Sequence, residues 1–180
     1  MLQITIPAVE KYDSVNNLFY TSKEYHLCLE HSLVSISKWE SKWKKPFFGR
    51  EEKTHEESID YIRCMTLTQN VDPEAYTGIN SKIFQKISEY IDEPMTATKI
   101  TEHKTGSPSR EVYTAEIIYY LMISYGIPFE CQKWHINKLI TLIKVCEIKN
   151  SPTKKMSSSD IMAQNRALNA KRKAAMNTKG

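Results

Sequence analysis

Ser107-Pro-Ser-Arg-Glu-Val-Tyr-Thr-Ala-Glu-Ile-Ile-Tyr-Tyr-Leu-Met-Ile-Ser-Tyr-Gly-Ile-Pro128, with the apolar run that follows to Asn150, decides how this chain folds. Val112, Ile117, Ile118, Leu121 and Met122 recur close to a helical period. Ser107 or Ser109 is placed to cap that helix, and Glu111 falls in its first turn, where the helix dipole favours an anion. Gly126 suits a left-handed C-terminal cap and Pro128 the first position of a next helix. Phe129, Trp134, Leu139, Leu142, Ile143 and Cys146 mark that second helix. Two long helices joined by about two to five residues fold back as an antiparallel hairpin. The expected fold is therefore mainly α, built on this hairpin, and nothing in the stretch announces catalysis.

The rest of the chain is read outward from there. Leu2, Ile4 and Ile6 alternate with polar residues and predict a short half-buried strand; Leu18-Phe19-Tyr20 is a candidate second one. Thr21 or Ser22 is expected to open a helix through Leu27, Leu29, His31, Leu33, Val34, Ile36 and Trp39 toward Trp43, ended by Pro46-Phe47-Phe48-Gly49. Thr54 with Glu57 forms a capping box before Ile59, Ile62 and Met65. Asp72-Pro73 starts a short helical turn that Gly78 ends, and Asn80 caps a helix carrying Ile83, Ile87, Tyr90 and Ile91. Residues 96–103 are Thr-rich and alternate weakly, so they are a candidate partner for the N-terminal strand. The predicted core contains Leu29, Leu33, Ile36, Ile62, Ile87, Ile118, Leu121, Trp134, Leu139, Leu142 and Ile143.

Length and composition fit one domain with an appendage. With 180 residues, 41% of them apolar, there is material for a real core, while five Gly and seven Pro argue against a many-turned β sandwich. No apolar run is long enough for a membrane span and no leader pattern opens the chain, so a soluble protein of a cytoplasm is expected. Cys28, Cys64, Cys131 and Cys146 show no paired spacing and read as reduced core thiols. The net charge of +4 is uneven: the segment from Lys149 to Gly180 carries +7, which leaves −3 for the body. The expected division is a helical core over 1–150 and a basic linker and helix over 151–180, the latter poor in large apolar residues and marginal alone.

Candidate chemistry is thin. Cys28 with His31 and Cys131 with His135 have the spacing of one helix face, and two such pairs would suit zinc. Turns usually introduce such ligands, however, and Cys28 lies in an apolar run, so no metal or other cofactor is expected. No cysteine is flagged as an activated nucleophile, the paired carboxylates Glu51-Glu52 and Glu56-Glu57 suit a helix start, and no Gly-rich phosphate loop exists. An enzyme is not expected. Trp39 and Trp43 lie i,i+4 among lysines. That pattern fits base stacking over phosphates, a protein hot spot, or two indoles sealing the core edge under lysine stems. Arg166, Lys171, Arg172 and Lys173 in the basic arm suit phosphate contacts, an acidic protein surface, or a merely solvated helix. The arm has no aromatic residue to stack on bases.

Several blocks resemble proteins encoded by tailed bacteriophages. They are Leu29-Glu30-His31-Ser32-Leu33 running into Ser37-Lys38-Trp39-Glu40-Ser41-Lys42-Trp43, Asp60-Tyr61-Ile62 with Met65-Thr66-Leu67, Ile127-Pro128-Phe129-Glu130-Cys131-Gln132-Lys133-Trp134-His135, and Asn165-Arg166-Ala167-Leu168-Asn169-Ala170. The chain is most similar to tail assembly chaperones. That resemblance implies a non-catalytic protein of the host bacterial cytoplasm that binds the tape-measure protein, helps recruit tail-tube protein and leaves before the virion is finished. It assigns no binding residue. The alternatives are a permanent virion part, such as a head-tail connector or tail-completion protein ordered in a homo-oligomeric ring, and a phage nucleic-acid-binding protein.

Overall fold

The computed structural model describes residues 1–14, 16–100, 112–150 and 158–176. The chain divides into two compact units, Met1–Glu147 and Ile148–Gly180. The first is mainly helical with two small antiparallel ladders. Strand β1 (Leu2–Ile6) pairs with β4 (Tyr25–Leu29), and β2 (Glu10–Asp13) pairs with β3 (Leu18–Thr21). Helices α1 (Leu33–Trp43), α2 (His55–Met65), α3 (Ser81–Asp92), α4 (Ala115–Ser124) and α5 (Ile136–Asn150) follow, with 3-10 turns at Pro73–Gly78 and Phe129–Lys133. The second unit carries α6 (Ser158–Met176).

The β1–β4 ladder sets Leu2 opposite Leu29 and Ile6 opposite Tyr25. Ile4, Ile6, Leu27 and Leu29 are buried, so the alternation points one face of each strand into the core. Residues 25–29 are thus a strand, where one helix from Thr21 or Ser22 was expected. Leu27 and Leu29 are two apart, a spacing that faces one way on a strand but diverges on a helix. The helix begins only at Leu33, capped by Ser32, whose Oγ accepts from the Ser35 amide at 3.3 Å while Ser35 Oγ accepts from the Ser32 amide at 3.0 Å. Residues 96–100 form no strand, and the partner of β1 is β4. The remainder of that stretch, and the caps sought at Ser107, Ser109 and Glu111, lie outside the described residues.

The local signals elsewhere act as expected. Thr54 and Glu57 cap α2 reciprocally, Asp72 caps the first 3-10 turn, and Asn80 Oδ1 accepts from the Ile83 amide at 3.0 Å. Gly78 sits against β1, where an added Cβ would stand 2.7 Å from Ile6 Cγ2, so only glycine fits. Gly126 ends α4 with φ +65°.

The two helices expected to make the hairpin have other bounds. Helix α4 starts at Ala115 with Thr114 as its cap residue, which leaves Val112 ahead of it. The second helix starts at Ile136 instead of beside Pro128, because the 3-10 turn fills residues 129–133 and lengthens the link. Helix α4 packs on α1. Leu29, Leu33, Ile36, Ile62, Ile87, Ile118, Leu139 and Ile143 are buried as expected, while Leu121 and Leu142 are half-buried. Trp134 is 39% exposed and is not a core residue, since the end of the 3-10 turn carries it outward.

One buried carboxylate ties the centre together. Glu40 Oε1 accepts from the Phe47 amide at 2.7 Å and Oε2 accepts from the Ala115 amide at 2.8 Å. It thereby fixes both the turn after α1 and the start of α4. Glu40→Ala strands two buried N–H donors, and a loss of about 3 kcal/mol is expected in urea unfolding, with Glu40→Gln intermediate because it keeps one acceptor.

Candidate functional site

Trp39 lies on the inner face of α1, 1% exposed. Its Nε1 donates to the Glu57 carbonyl at 2.9 Å, and its ring meets Phe47 edge-on at 5.4 Å between centroids. A side chain so placed offers no surface to a partner: it is the core seal, not the hot spot. Trp43, one turn on, is half-buried and donates from Nε1 to Asp60 Oδ2 at 2.9 Å. The lysines around this pair are largely committed. Lys42 pairs with Asp60 at 2.5 Å, Lys45 with Glu57 at 2.7 Å, and Lys53 lies 4.1 Å from the Phe47 ring centre. These cations hold the Glu57 and Asp60 carboxyls below their ordinary range. The pattern read as a binding motif is therefore mostly spent on joining α1 to α2.

A second polar cluster, which no local motif announced, lies where β4, α1, α2, α3 and the start of α5 meet. Ser32 bridges to His135, and the His31 carbonyl accepts from the Ile136 amide at 2.7 Å. The His31 and His135 rings meet edge-on with centroids 5.0 Å apart. His31 Nδ1 is hydrogen-bonded to the Tyr61 hydroxyl. His135 Nε2 lies 3.0 Å from the Tyr90 carbonyl, which can only accept, so Nε2 carries the proton and Nδ1 accepts from the Asn137 amide at 3.3 Å. Tyr90 donates to Glu30 Oε1 at 2.7 Å, and Glu30 Oε2 pairs with the Met1 amino group at 3.0 Å. Burial lowers the His31 pKa to about 3, with His135 and Lys53 acting the same way. Burial also lowers His135, against the Tyr90 carbonyl and Glu30. It raises Tyr61, and Tyr90 rises by burial and by its bond to Glu30. Both imidazoles of the cluster are buried and hydrogen-bonded.

Two of the cavities beside these elements bear on what the chain could hold. One, of about 640 Å³, opens beside Glu30, Ser32 and His135, with Met65, Leu67 and Met95 as an apolar floor and Lys38, Lys133, Lys138 and Trp134 at its edge. The other, of about 290 Å³, is an apolar groove between α4 and α5 lined by Ile118, Leu121, Tyr125, Ile140 and Ile143, with Phe48 and Tyr113 at the rim. Beside it α4 is apolar on nearly every side, and its outer face leaves Tyr120 67% and Ile123 64% exposed. A helix apolar all round normally has cover all round.

Helix α6 is exposed along its described length, and Arg166, Lys171, Arg172 and Lys173 all stand on it. Cys28 is on β4 and Cys131 in the second 3-10 turn, so neither shares a helix with its histidine. Among the described residues, no group of three His, Cys, Asp or Glu is placed to hold a metal ion, and no helix is long and apolar enough to cross a membrane. Among known proteins the chain matches no family model, no curated protein and no solved structure.

Proposed function

We propose that the chain is a non-catalytic phage tail assembly chaperone that holds amphipathic helices of the tape-measure protein and hands them to tail-tube protein in the host bacterial cytoplasm. The observation that carries this reading is the uncovered apolar face of α4 beside the α4–α5 groove. A monomer gains nothing from Tyr120 and Ile123 in water, whereas a partner helix with large apolar side chains at i, i+3 and i+4 is stabilised by covering them. The groove has room for one or two such anchors. No cofactor or bond-making step enters.

The test is co-expression with the tape-measure protein and affinity capture. Ile123→Asp is expected to cut capture by about tenfold or more, since a charge at the centre of an apolar contact is desolvated without a partner. Because Ile123 is exposed, thermal stability should hold. Capture unchanged by Ile123→Asp and Tyr120→Ala overturns the reading. Mass spectrometry of mature particles separates it from a permanent virion part, which is retained at fixed copy number.

A nucleic-acid-binding reading is favoured by one feature, the exposed cations of α6. It predicts affinity that falls steeply with salt and disappears on deleting residues 151–180.

A further inference from the structure

Some lysines of this unit are matched by carboxylates, but those around the larger cleft are not. Lys11, Lys42 and Lys45 each have an acidic partner. Among the described residues, Lys38, Lys133 and Lys138 have none; Lys138 instead lies 4.4 Å from the Trp134 ring centre. The single carboxylate in the cleft, Glu30, is already used by the Met1 amino group and the Tyr90 hydroxyl. The cleft thus carries three uncompensated cations although the body of the chain is net negative. Its accessible apolar lining is Leu67 and Met95, and methionine adapts to irregular guests.

We propose that this cleft docks an acidic peptide segment, a short amphipathic stretch that seats one or two large apolar side chains on Leu67 and Met95 and sets Asp or Glu against Lys38, Lys133 and Lys138. Charge complementarity identifies the occupant. The cations come from two separate elements, α1 and the junction of the second 3-10 turn with α5, so a guest with carboxylates flanking an apolar anchor meets all of them. A single-headed amphiphile leaves most of them unmatched. The positive N-terminal end of α1, at Ser32 and Ser35, adds to the same sign. Trp134, half out of the protein at the rim, supplies a flat apolar edge of the kind that anchors peptide contacts. This site is distinct from the α4–α5 groove and stands whether or not the chaperone reading does.

The test uses the full chain and three probes: a synthetic amphipathic helix of leucine and glutamate, its counterpart with lysine for glutamate, and decanoate. At low salt the acidic peptide should bind about tenfold more tightly than the basic one, and the preference should shrink as salt is added. Amide shifts should centre on Leu67, Met95 and Trp134. In a Lys38→Glu, Lys138→Glu double variant, which changes only exposed side chains, the preference should reverse. Equal binding of the two peptides, no binding of the acidic one, or a preference that survives the double variant overturns the proposal. So do shifts centred on α4, equally tight binding of decanoate, or a dimer of the chain that the peptide disperses.

Discussion

Trp39→Ala is expected to remove about 3–5 kcal/mol of stability, a large part of the 5–15 kcal/mol that holds a domain of this size. The indole fills the space between α1, α2 and the turn after α1, where it meets Phe47 edge-on and Trp43 at 6.4 Å between centroids. Truncation leaves a cavity that the capped ends of both helices cannot collapse into. It also strands the Glu57 carbonyl that Nε1 satisfies at 2.9 Å. Trp39→Phe should keep most of the filling and lose mainly that hydrogen bond. Trp43→Ala should cost clearly less, because its ring is half in water. Urea unfolding of the three variants checks the order; equal losses for Trp39→Ala and Trp43→Ala would contradict it. The comparison also guards against a false hot spot. Any loss of partner capture in Trp39→Ala reflects a damaged fold, and the informative substitutions are Ile123, Tyr120 and the cleft lysines.

The second large effect is with pH. His31 is held neutral by burial, with a folded pKa of about 3 against 6.5 in the unfolded chain. Below pH 6.5 the unfolded chain therefore binds a proton that the folded chain does not. Stability is complete above 6.5 and falls as pH drops, at about 1.4 kcal/mol per pH unit for this one group. Between pH 7 and pH 5 the loss should be about 2 kcal/mol from His31 alone. His135 acts in the same direction, since burial lowers its pKa as well. The depressed carboxylates Glu57, Asp60 and Glu74 add their own loss only at lower pH, as they protonate below 4.5, 3.8 and 4.5 respectively. The window from pH 6.5 to about 5 thus isolates the imidazoles. In His31→Gln the slope of stability against pH there should fall by about one proton, whatever the change in stability at pH 7. Equal slopes in the two proteins would sink the assignment.

What the sequence disclosed and what it hid follow the range of each interaction. Helices α2 and α3 were legible because their signals are local: Thr54 and Glu57 cap within one turn, and Asn80 precedes its own periodic run. The strand at 25–29 was hidden by its neighbours, since Leu27 and Leu29 run straight into the helical period of Leu33 and Ile36. Its extended form is fixed by β1, whose Leu2 faces Leu29 and Ile6 faces Tyr25. The start of α5 was misplaced because Pro128 is a genuine helix-starting signal, while what sets the boundary is the Ser32–His135 bridge from the other end of the domain. The same holds for sites. Trp39 and Trp43 stood out by spacing yet are used for packing. The cationic cleft gathers Lys38 with Lys133 and Lys138 from distant parts of the chain, so no window of sequence contains it. The basic residues of α6 are where a helix reading put them.

The meeting of His31 with Ile136 also sets the order in which the molecule can be completed. Everything from β1 to α2 is joined by contacts within the first sixty-seven residues, including the Leu67 amide on the Cys28 carbonyl at 2.8 Å. A nascent chain can assemble that half early. Yet the His31 carbonyl and Glu40 Oε2 wait for the Ile136 and Ala115 amides to leave the ribosome. Until then the half-built domain shows the cell an open seam, and release of residues 115–139 is what shuts it.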